Sequence, residues 1–312
     1  MRWKRRQLAW SSPASEDTAD RPQCPLSSPA FLTTIRQQDS MSRFAAQNFN
    51  AKVYAEARPS YVPKIYELIR DFHQGGYDAV VDAGCGPGMG TEGLLDMGFR
   101  DVYAIDPSEV MLNEGKKTRS RADDIQWIVG SSEVLSQRLT QKVDMVTSFE
   151  AAHWMDHAKT WEECFNVLNP GGTVAHVMYG HIQLLGNEKA SELILDLAFN
   201  KLKAYFKPQH KVAYELMDDI SPPAWASRVE RHKFLVNPKE DENGCIMKRD
   251  TTLAALASHV NSWSPMDQYK EEHPGTTIVS DFMEDMMRAY NAKDVDHPIT
   301  MAWSMAVLLV SR

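Results

Sequence analysis

The sequence predicts an α/β protein with a Rossmann-like sheet of seven mostly parallel strands and helices on both faces. First, short apolar runs alternate with amphipathic stretches along the chain, which is typical of strands and helices in a parallel sheet. Second, the first apolar run ends in a glycine-rich loop. Third, the alternation stops over residues 181–227, where helical spacing continues without a strand. This break predicts a helical cap inserted after the fifth strand.

The first five predicted strands are short apolar runs, and the segments between them have apolar residues at helical spacing. The predicted strands cover residues 79–83, 102–106, 125–129, 143–149 and 173–179. The predicted helices cover residues 63–72, 91–97, 108–118 and 161–168, with Ser108 as N-cap of the third. An Asn-Pro-Gly-Gly sequence at residues 169–172 predicts a turn before the fifth strand.

Beyond Gly180 most of the predicted elements are helical. Two helices form the cap, at residues 184–206 and 212–219. The elements after the cap are a strand, two helices and a closing apolar strand, at residues 228–236, 253–260, 281–291 and 301–310. The simplest topology that accommodates this order places the cap between the fifth and sixth strands of a single sheet.

The first forty residues predict a disordered tail, or an upstream extension of a protein whose natural start is Met41. They are rich in Ser, Pro and Thr and have little apolar periodicity. Three arginines among the first six residues are typical of a mitochondrial targeting segment, whereas the acidic residues Glu16, Asp17 and Asp20 argue against one. The folded domain is predicted to span residues 41–312.

Composition limits the classes of partner that we expect. Acidic residues outnumber basic ones by 42 to 34, so the formal net charge of −8 provides no overall attraction for nucleic acid. No apolar run reaches the roughly eighteen residues of a membrane-spanning helix. The four cysteines form no CxxC pair or Cys/His cluster, which predicts no metal site and a reducing, cytoplasmic location. We expect a monomer or homodimer that acts on a small molecule.

The loop after the first strand has the sequence Asp-Ala-Gly-Cys-Gly-Pro-Gly over residues 82–88. Its alternate glycines allow the backbone to turn sharply and to approach a ligand closely. A second acid, Asp106, lies 24 residues after Asp82 at the end of the next strand, where it is suited to accept hydrogen bonds from ribose hydroxyls. The dinucleotide pattern is G-x-G-x-x-G, so this spacing favours an adenosyl amino acid cofactor over a dinucleotide.

This loop and several later segments resemble the successive motifs of class I S-adenosylmethionine-dependent methyltransferases. The later segments are Asp-Pro-Ser at 106–108, Gly-Ser-Ser-Glu at 130–133, Ala-Ala-His-Trp at 151–154 and Asn-Pro-Gly-Gly at 169–172. The fungal branch that includes trans-aconitate methyltransferase and enzymes of secondary metabolism is similar at Tyr-Ala-Glu-Ala-Arg-Pro-Ser-Tyr (54–61), Trp-Ser (263–264) and Glu-Glu-His-Pro (271–274). The resemblance runs from about Phe44 to the end of the chain, and it implies S-adenosyl-L-methionine as cofactor.

The resemblance also implies which residues bind this cofactor. The implied residues are Tyr54, Arg58, Asp82, Gly84, Cys85, Gly86, Asp106, Pro107, Ser131, Ser132 and Glu150. Within this set, Asp82, Gly84 and Gly86 would contact the methionine moiety, Asp106 the ribose, and the two serines the adenine. Ser131 stands where many class I enzymes have an acid. Arg58 is placed near the cofactor carboxylate, with a salt bridge at the helix entry as the alternative.

The acceptor side of the reaction is less constrained by the sequence. His153 follows the fourth strand and is the candidate general base, with packing beside Trp154 as the alternative. Trp154 and Trp263 are candidate substrate contacts. We expect methyl transfer to the oxygen of a carboxylate or hydroxyl. The alternatives are transfer to a thiol sulfur and a protein of this fold that binds the cofactor without methylating.

Overall fold

The computed structural model describes residues 50–238 and 245–312, and one sheet lies at their centre. Its strands are β1 (Ala79–Ala83), β2 (Asp101–Asp106), β3 (Ile125–Val129), β4 (Val143–Phe149), β5 (Leu168–Leu184), β6 (Arg228–Phe234), β7 (Met247–Thr252) and β8 (Pro298–Ser311). The order across the sheet is β3-β2-β1-β4-β5-β8-β6, and β7 also pairs with β8. The predicted α/β class and the mostly parallel sheet are confirmed.

The sheet is seven strands wide although eight segments build it. β6 pairs with residues 305–311 of β8, and β7 pairs with residues 298–303 along the same outer edge. β1 to β5 are mutually parallel, whereas β8 runs antiparallel to its three neighbours. The carboxyl ends of β1, β2, β4 and β5 therefore meet at one edge, where ligands bind in open α/β sheets.

Helices cover both faces of the sheet because the central strands are apolar on both sides. β1 and β4 are buried along their whole length. Successive residues such as Val80 and Val81 belong to two separate apolar clusters, one on each face. The helices are α1 (Ala51–Ala57), α2 (Pro63–Phe72), α3 (Glu92–Asp96), α4 (Glu109–Thr118), α5 (Leu135–Arg138), α6 (His157–Val167), α7 (Glu188–Asp196), α8 (His210–Tyr214), α9 (Leu253–Asn261), α10 (Ser264–Glu272) and α11 (Ile278–Tyr290).

The segment between β5 and β6 is helical, as predicted, but its helices are shorter than expected. β5 continues to Leu184, so the predicted start of the first cap helix lies within the strand. After α7 the chain forms a π-helical turn (Leu197–Lys201) and a 3-10 turn (Lys203–Tyr205) before α8. The second predicted helix ends early because Leu216 and Met217 adopt positive φ angles of 53° and 63°.

Local details of the prediction have mixed outcomes. The predicted N-cap of α4 is confirmed, since Ser108 Oγ accepts a hydrogen bond from the Met111 amide at 3.3 Å. The turn predicted at residues 169–172 instead lies inside β5, where an irregular register against β4 absorbs the extra residues and Gly171 has a φ of 77°. The sequence analysis missed α1, α5, β7 and α10. The tail expected over residues 1–40 lies outside the described residues, and no helix within them is long and apolar enough to cross a bilayer.

The carboxylate of Asp144, on β4, forms hydrogen bonds with the start of β1 and with β5. It accepts hydrogen bonds from the amides of Asp78 at 2.8 Å and Ala79 at 3.2 Å, at the start of β1. It also accepts one from the side-chain amide of Asn169 in β5 at 2.8 Å. Asp144 is buried, and its hydrogen bond to the Ala79 amide is shielded from water, whereas those to Asp78 and Asn169 are partly buried.

Replacing Asp144 by alanine should therefore destabilise the domain. We expect Asp144→Ala to lower the free energy of unfolding by about 2–4 kcal/mol, because buried and partly buried donors lose a charged acceptor. Denaturant unfolding followed by circular dichroism measures the change. The control is Asp71→Ala on the exposed end of α2, which should change stability by less than about 0.5 kcal/mol. Equal effects of the two substitutions would contradict this role of Asp144.

Candidate functional site

Two adjoining chambers open at the carboxyl edge of the sheet. The first has a volume of about 960 Å³ and the second about 660 Å³, both including the space at their mouths. Five residues line both chambers and form the wall between them, which we call the junction: Tyr54, Arg58, Glu150, Trp154 and Tyr179. They come from α1, from the loop after β4 and from β5, so three separate parts of the chain converge there.

The glycine loop forms the floor of the first chamber. The amides of Gly84 and Cys85 both donate to the Ile105 carbonyl, at 2.7 and 3.1 Å, which draws the loop against β2. Gly84 has a φ of 73°, and a Cβ there would lie 2.5 Å from Ala151 Cβ. Gly86 has a φ of 54°, and a Cβ there would meet nothing within 4 Å. The space beside Gly86 is therefore left for a ligand rather than for protein packing.

Asp106 stands beside this loop at the end of β2 and lines the first chamber. Its carboxylate accepts hydrogen bonds from the amides of Gly86 and Ser108, both at 2.8 Å. Burial raises the pKa of this carboxyl to about 6, although the two amides counteract the shift. Asp106 is therefore mostly ionised at neutral pH, and each oxygen retains a lone pair that can accept a further hydrogen bond.

The side chain of Asp82 is held by hydrogen bonds within the protein. Its side chain is fully buried and does not line either chamber. It accepts hydrogen bonds from the hydroxyls of Thr91 at 2.6 Å and Thr147 at 3.2 Å. Burial raises the pKa of Asp82 to about 7. The Asp82 side chain fastens the loop to β4 and to the segment before α3, and the contact with the methionine moiety that the resemblance implies stays a prediction.

The loop after β3 forms the other side of the first chamber. Ser131 and Ser132 both line it, but the Ser132 hydroxyl is engaged by Thr160 Oγ1 at 3.0 Å. Glu133 also lines this chamber, and the sequence analysis missed it. Its Oε1 accepts a hydrogen bond from the Asp156 amide at 2.9 Å. An acid two positions after Ser131 was the available signal for an acidic contact in this motif.

The remaining predicted cofactor residues also lie at this chamber, together with several that were not predicted. Cys85 and Pro107 line it as expected. The lining residues that the sequence analysis missed are Pro59, Tyr61, Pro87, Met89, Gly90, Met111, Glu133, Phe149, Ala151, Met155 and Tyr179. Most are apolar or aromatic, and burial alone does not distinguish such residues from core residues.

Arg58 contributes a partly buried cation to the junction. Its guanidinium carbon lies 4.8 Å from the centroid of the Tyr54 ring, and Nη2 donates to the Ser262 carbonyl at 3.3 Å. Nε is buried without a hydrogen-bond partner. No ion pair of Arg58 occurs among residues 50–238 and 245–312, so the alternative of a salt bridge at the helix entry is not supported there.

Glu150 contributes a partly buried acid to the same junction. It follows β4 directly and has a φ of 56°, which is uncommon for a residue other than glycine. Its amide donates to the Val177 carbonyl and its Oε2 accepts from the Tyr179 amide, both at 2.8 Å. Burial raises the pKa of Glu150 to about 8, although Tyr179 and Arg58 oppose the shift. These contacts to β5 hold the uncommon backbone conformation and keep the carboxyl at the junction.

The second chamber is lined by histidines and aromatic rings. His153 and Trp154 lie on a 3-10 turn after β4, with ring centroids 4.6 Å apart. Trp154 lines both chambers, whereas His153 and Trp263 line only the second. His153 is buried, its Nδ1 has no hydrogen-bond partner, and burial lowers its pKa well below the usual value. Packing beside Trp154 and access to the chamber are therefore compatible, and the imidazole is neutral at physiological pH.

Comparisons with known proteins agree on one kind of activity. The methyltransferase-domain family Methyltransf_11 matches residues 81–176, from β1 into β5. The chain is 25% identical to the Saccharomyces cerevisiae protein named "Probable S-adenosylmethionine-dependent methyltransferase CRG1", over 83% of this chain and 94% of that one. It is 30% identical to methyltransferase cfoB of Aspergillus candidus, over 51% of each chain.

A solved structure supports the fold. A putative type II methyltransferase from Anaeromyxobacter dehalogenans superposes with a TM-score of 0.64, covering 81% of this chain and 97% of that one at 18% identity. The match to this family begins in β1, just before the glycine loop, and it includes Asp106 and the residues after β4. The matched methyltransferase domain and the relatives together support an S-adenosylmethionine-dependent methyltransferase, and the solved structure supports the same fold.

Proposed function

We propose that this methyltransferase acts on a small molecule bound in the second chamber and methylates an oxygen of a hydroxyl or a carboxylate. The observation that carries the proposal is the junction, since its five residues line both chambers. A methyl donor in the first chamber and an acceptor in the second would meet across this one shared wall. The second chamber is concave and lined mainly by aromatic and histidine side chains, as small-molecule sites commonly are.

The first chamber fits S-adenosylmethionine by shape and by charge. The open space beside Gly86 admits a ligand close to the backbone, and Asp106 offers lone pairs to ribose hydroxyls. Arg58 has an unpartnered Nε that suits the carboxylate of the methionine moiety. The Glu150 carboxylate suits its ammonium group. Ser131 and Glu133 line the side of the chamber to which the resemblance assigns the adenine.

The protein's contribution to the reaction is alignment and exclusion of water. When bound, S-adenosylmethionine would supply an electrophilic methyl group. The acceptor oxygen would attack the methyl carbon in line with the carbon–sulfur bond, and the neutral thioether would leave. Arg58 and Glu150 would fix the methionine end at the junction, and the rings of Tyr54, Trp154 and Tyr179 would shield it from solvent. Tyr179 is buried and the other four junction residues are partly buried, so a bound cofactor and acceptor would complete the exclusion of water.

The acceptor determines whether a general base is needed, and His153 is the candidate for that base. A carboxylate is already ionised, whereas a hydroxyl must lose its proton during attack. The lowered pKa of His153 keeps its imidazole neutral but also weakens it as a base, and its buried Nδ1 has no hydrogen-bond partner among the described residues. We therefore assign His153 as the base for hydroxyl acceptors and as a wall residue for carboxylate acceptors.

This assignment predicts that His153→Ala separates the two acceptor classes. Release of S-adenosylhomocysteine is measured with matched panels of phenols, alcohols and carboxylic acids. We expect kcat for a hydroxyl acceptor to fall by about 100-fold or more, which is the usual contribution of a general base. For a carboxylic acid we expect a change of less than about twofold, since no proton is transferred.

The matched control is His157→Ala, because His157 lies four residues away on α6 and lines neither chamber. It should leave turnover unchanged for both classes. Unchanged turnover of hydroxyl acceptors by His153→Ala would rule out the base. Cofactor binding without product release for either class would contradict the proposed reaction.

Cofactor binding should depend on Asp106. We expect Asp106→Ala to weaken binding of S-adenosylhomocysteine by about 10- to 100-fold, since charge-assisted hydrogen bonds contribute about 1.5–3 kcal/mol. Isothermal calorimetry measures the affinity, and a thermal melt of the variant checks that it is folded. Asp101→Ala, at the other end of β2, is the control because Asp101 does not line the chamber. Equal affinities of the wild type and Asp106→Ala would exclude the ribose contact.

Cofactor binding should also depend on pH through Glu150. The carboxylate attracts the cationic cofactor and the protonated acid does not, so affinity should rise with pH until Glu150 is ionised near pH 8. We expect Glu150→Gln to remove this part of the rise between about pH 6.5 and pH 8.5. Calorimetry of both proteins across this range isolates Glu150, because any titration of the ligand is common to both. Parallel pH profiles would show that Glu150 does not face the cofactor's charge.

A further inference from the structure

Several buried polar atoms without a hydrogen-bond partner belong to residues that line the second chamber. They are Arg58 Nε, His153 Nδ1, His181 Nε2 and Tyr214 Oη. Arg58 and His153 lie at or beside the junction, where the proposed reaction uses them. His181 and Tyr214 line only the second chamber and have no part in that reaction. Leaving such atoms unsatisfied is costly, so a bound molecule is the natural source of their partners.

His181 and Tyr214 form one rigid unit, which we call the distal pair. His181 comes from β5 and Tyr214 from α8, and their rings stack with centroids 4.2 Å apart and an angle of 20°. Phe199 packs edge-on against both rings, at 4.9 and 5.2 Å. The register of β5 against β8 shifts between Tyr179 and Ile182, and this bulge includes His181. Bulges of this kind redirect side chains, so the strand itself sets the position of His181.

The distal pair is uncharged in the free protein. Burial, with a smaller contribution from His210, lowers the pKa of His181 to about 4. At pH 7 only about one His181 in a thousand is therefore protonated. Burial likewise lowers the pKa of the neighbouring His210 to about 4. Arg58 is the one lysine or arginine among the residues lining the second chamber, and it lies at the junction with Glu150.

In the free protein these charges disfavour an anionic group at the distal end. A carboxylate beside His181 and Tyr214 would be buried among neutral groups without a cation to pair with. A carbonyl or hydroxyl oxygen has no such cost, and either is able to hydrogen-bond with an imidazole and a phenol. The chamber between the distal pair and the junction is lined by apolar surfaces of Trp154, Phe206 and Trp263, which suit a flat apolar body.

We propose that the acceptor is a flat, largely apolar molecule with a second, uncharged oxygen at the end remote from the methylated one. His181 and Tyr214 are the specificity-determining residues that bind this second oxygen. The methylated end rests on the proposed function, whereas recognition by the distal pair is independent of methyl transfer. The ring of His210 lies 6.1 Å from that of His153 and 6.5 Å from that of Tyr214 by centroids, so the two ends are close enough for one small aromatic molecule to approach both.

The test compares three phenols that share one ring and differ at the position opposite the hydroxyl. The probes are 4-hydroxyacetophenone with a neutral carbonyl, 4-hydroxybenzoate with a carboxylate, and 4-ethylphenol with neither. Affinity is measured by calorimetry in saturating S-adenosylhomocysteine, so that no methyl transfer takes place. We expect the ketone to bind about tenfold more tightly than either other probe, as one hydrogen bond provides.

Variants assign the effect to the distal pair. Tyr214→Phe keeps the ring stack and removes the hydroxyl, and it should weaken ketone binding about tenfold while leaving 4-ethylphenol unchanged. His181→Phe should have the same selective effect. Tyr205→Phe is the matched control, because the exposed Tyr205 hydroxyl donates to Glu272 at 2.9 Å on the outer side of the same insert. It should change binding of no probe.

Several outcomes would overturn the inference. They are absence of ketone binding, tighter binding of 4-hydroxybenzoate than of the ketone, and an equal loss of ketone and 4-ethylphenol affinity in Tyr214→Phe. Failure of the proposed function has a different signature. In that case the ketone preference and its loss in Tyr214→Phe persist in the binding experiment, while no probe releases S-adenosylhomocysteine when the methyl donor is supplied.

Discussion

The carboxylate of Asp106 is the constraint on which the rest of the site depends. One side chain at the end of β2 accepts the amide of Gly86 in the glycine loop and the amide of Ser108 at the start of α4. Charge-assisted hydrogen bonds of this kind are roughly twice as strong as neutral ones. They fix the loop after β1 relative to the helix after β2, and the parallel arrangement of the strands places both at the same edge of the sheet.

Two buried acids, Asp82 and Asp106, and the partly buried Glu150 give this edge its electrostatic character. Burial raises the pKa of Asp82 to about 7, of Asp106 to about 6 and of Glu150 to about 8. Arg58 is the one lysine or arginine that lines either chamber, so the free protein holds ionisable carboxyls with little compensating charge. A cationic ligand removes part of that cost. Affinity for a sulfonium compound and ionisation of Glu150 are therefore two aspects of the same balance.

The sequence was sufficient to place residues at the site where the signal was local. It was insufficient where the position of a side chain depended on partners far away along the chain. Gly86 and Asp106 lie within one β-loop-α-β unit, so spacing alone placed them at a common site. Asp82 belongs to the same motif, but its orientation is set by Thr147, which lies 65 positions further along the chain. Tyr179 and Glu133 reach the chamber only through the packing of β5 and of the turn after β3. No short-range pattern contains that information.

Prediction of the strands and their ends was limited in the same way, because some of them depend on pairing with distant parts of the chain. β7 was missed because it is a polar strand at the outer edge of the sheet and lacks the apolar run that identified the central strands. The end of β5 was placed too early because residues 180–184 fit helical spacing as well as strand spacing. Pairing with residues 301–303 of β8 decides in favour of the strand, and β8 lies more than 100 positions away.

Under the proposed function, the extension of β5 separates the residues for cofactor binding from those for acceptor choice. Tyr179 and His181 are two positions apart on this strand, yet Tyr179 faces the junction and His181 only the second chamber. The bulge between them divides the strand at that point. Tyr214, which stacks on His181, comes from α8 in the insert, and α8 shares none of the hydrogen bonds that hold the glycine loop among the described residues. Substitutions in the insert are therefore able to change what meets His181 while the junction and the cofactor contacts of the sheet edge stay in place.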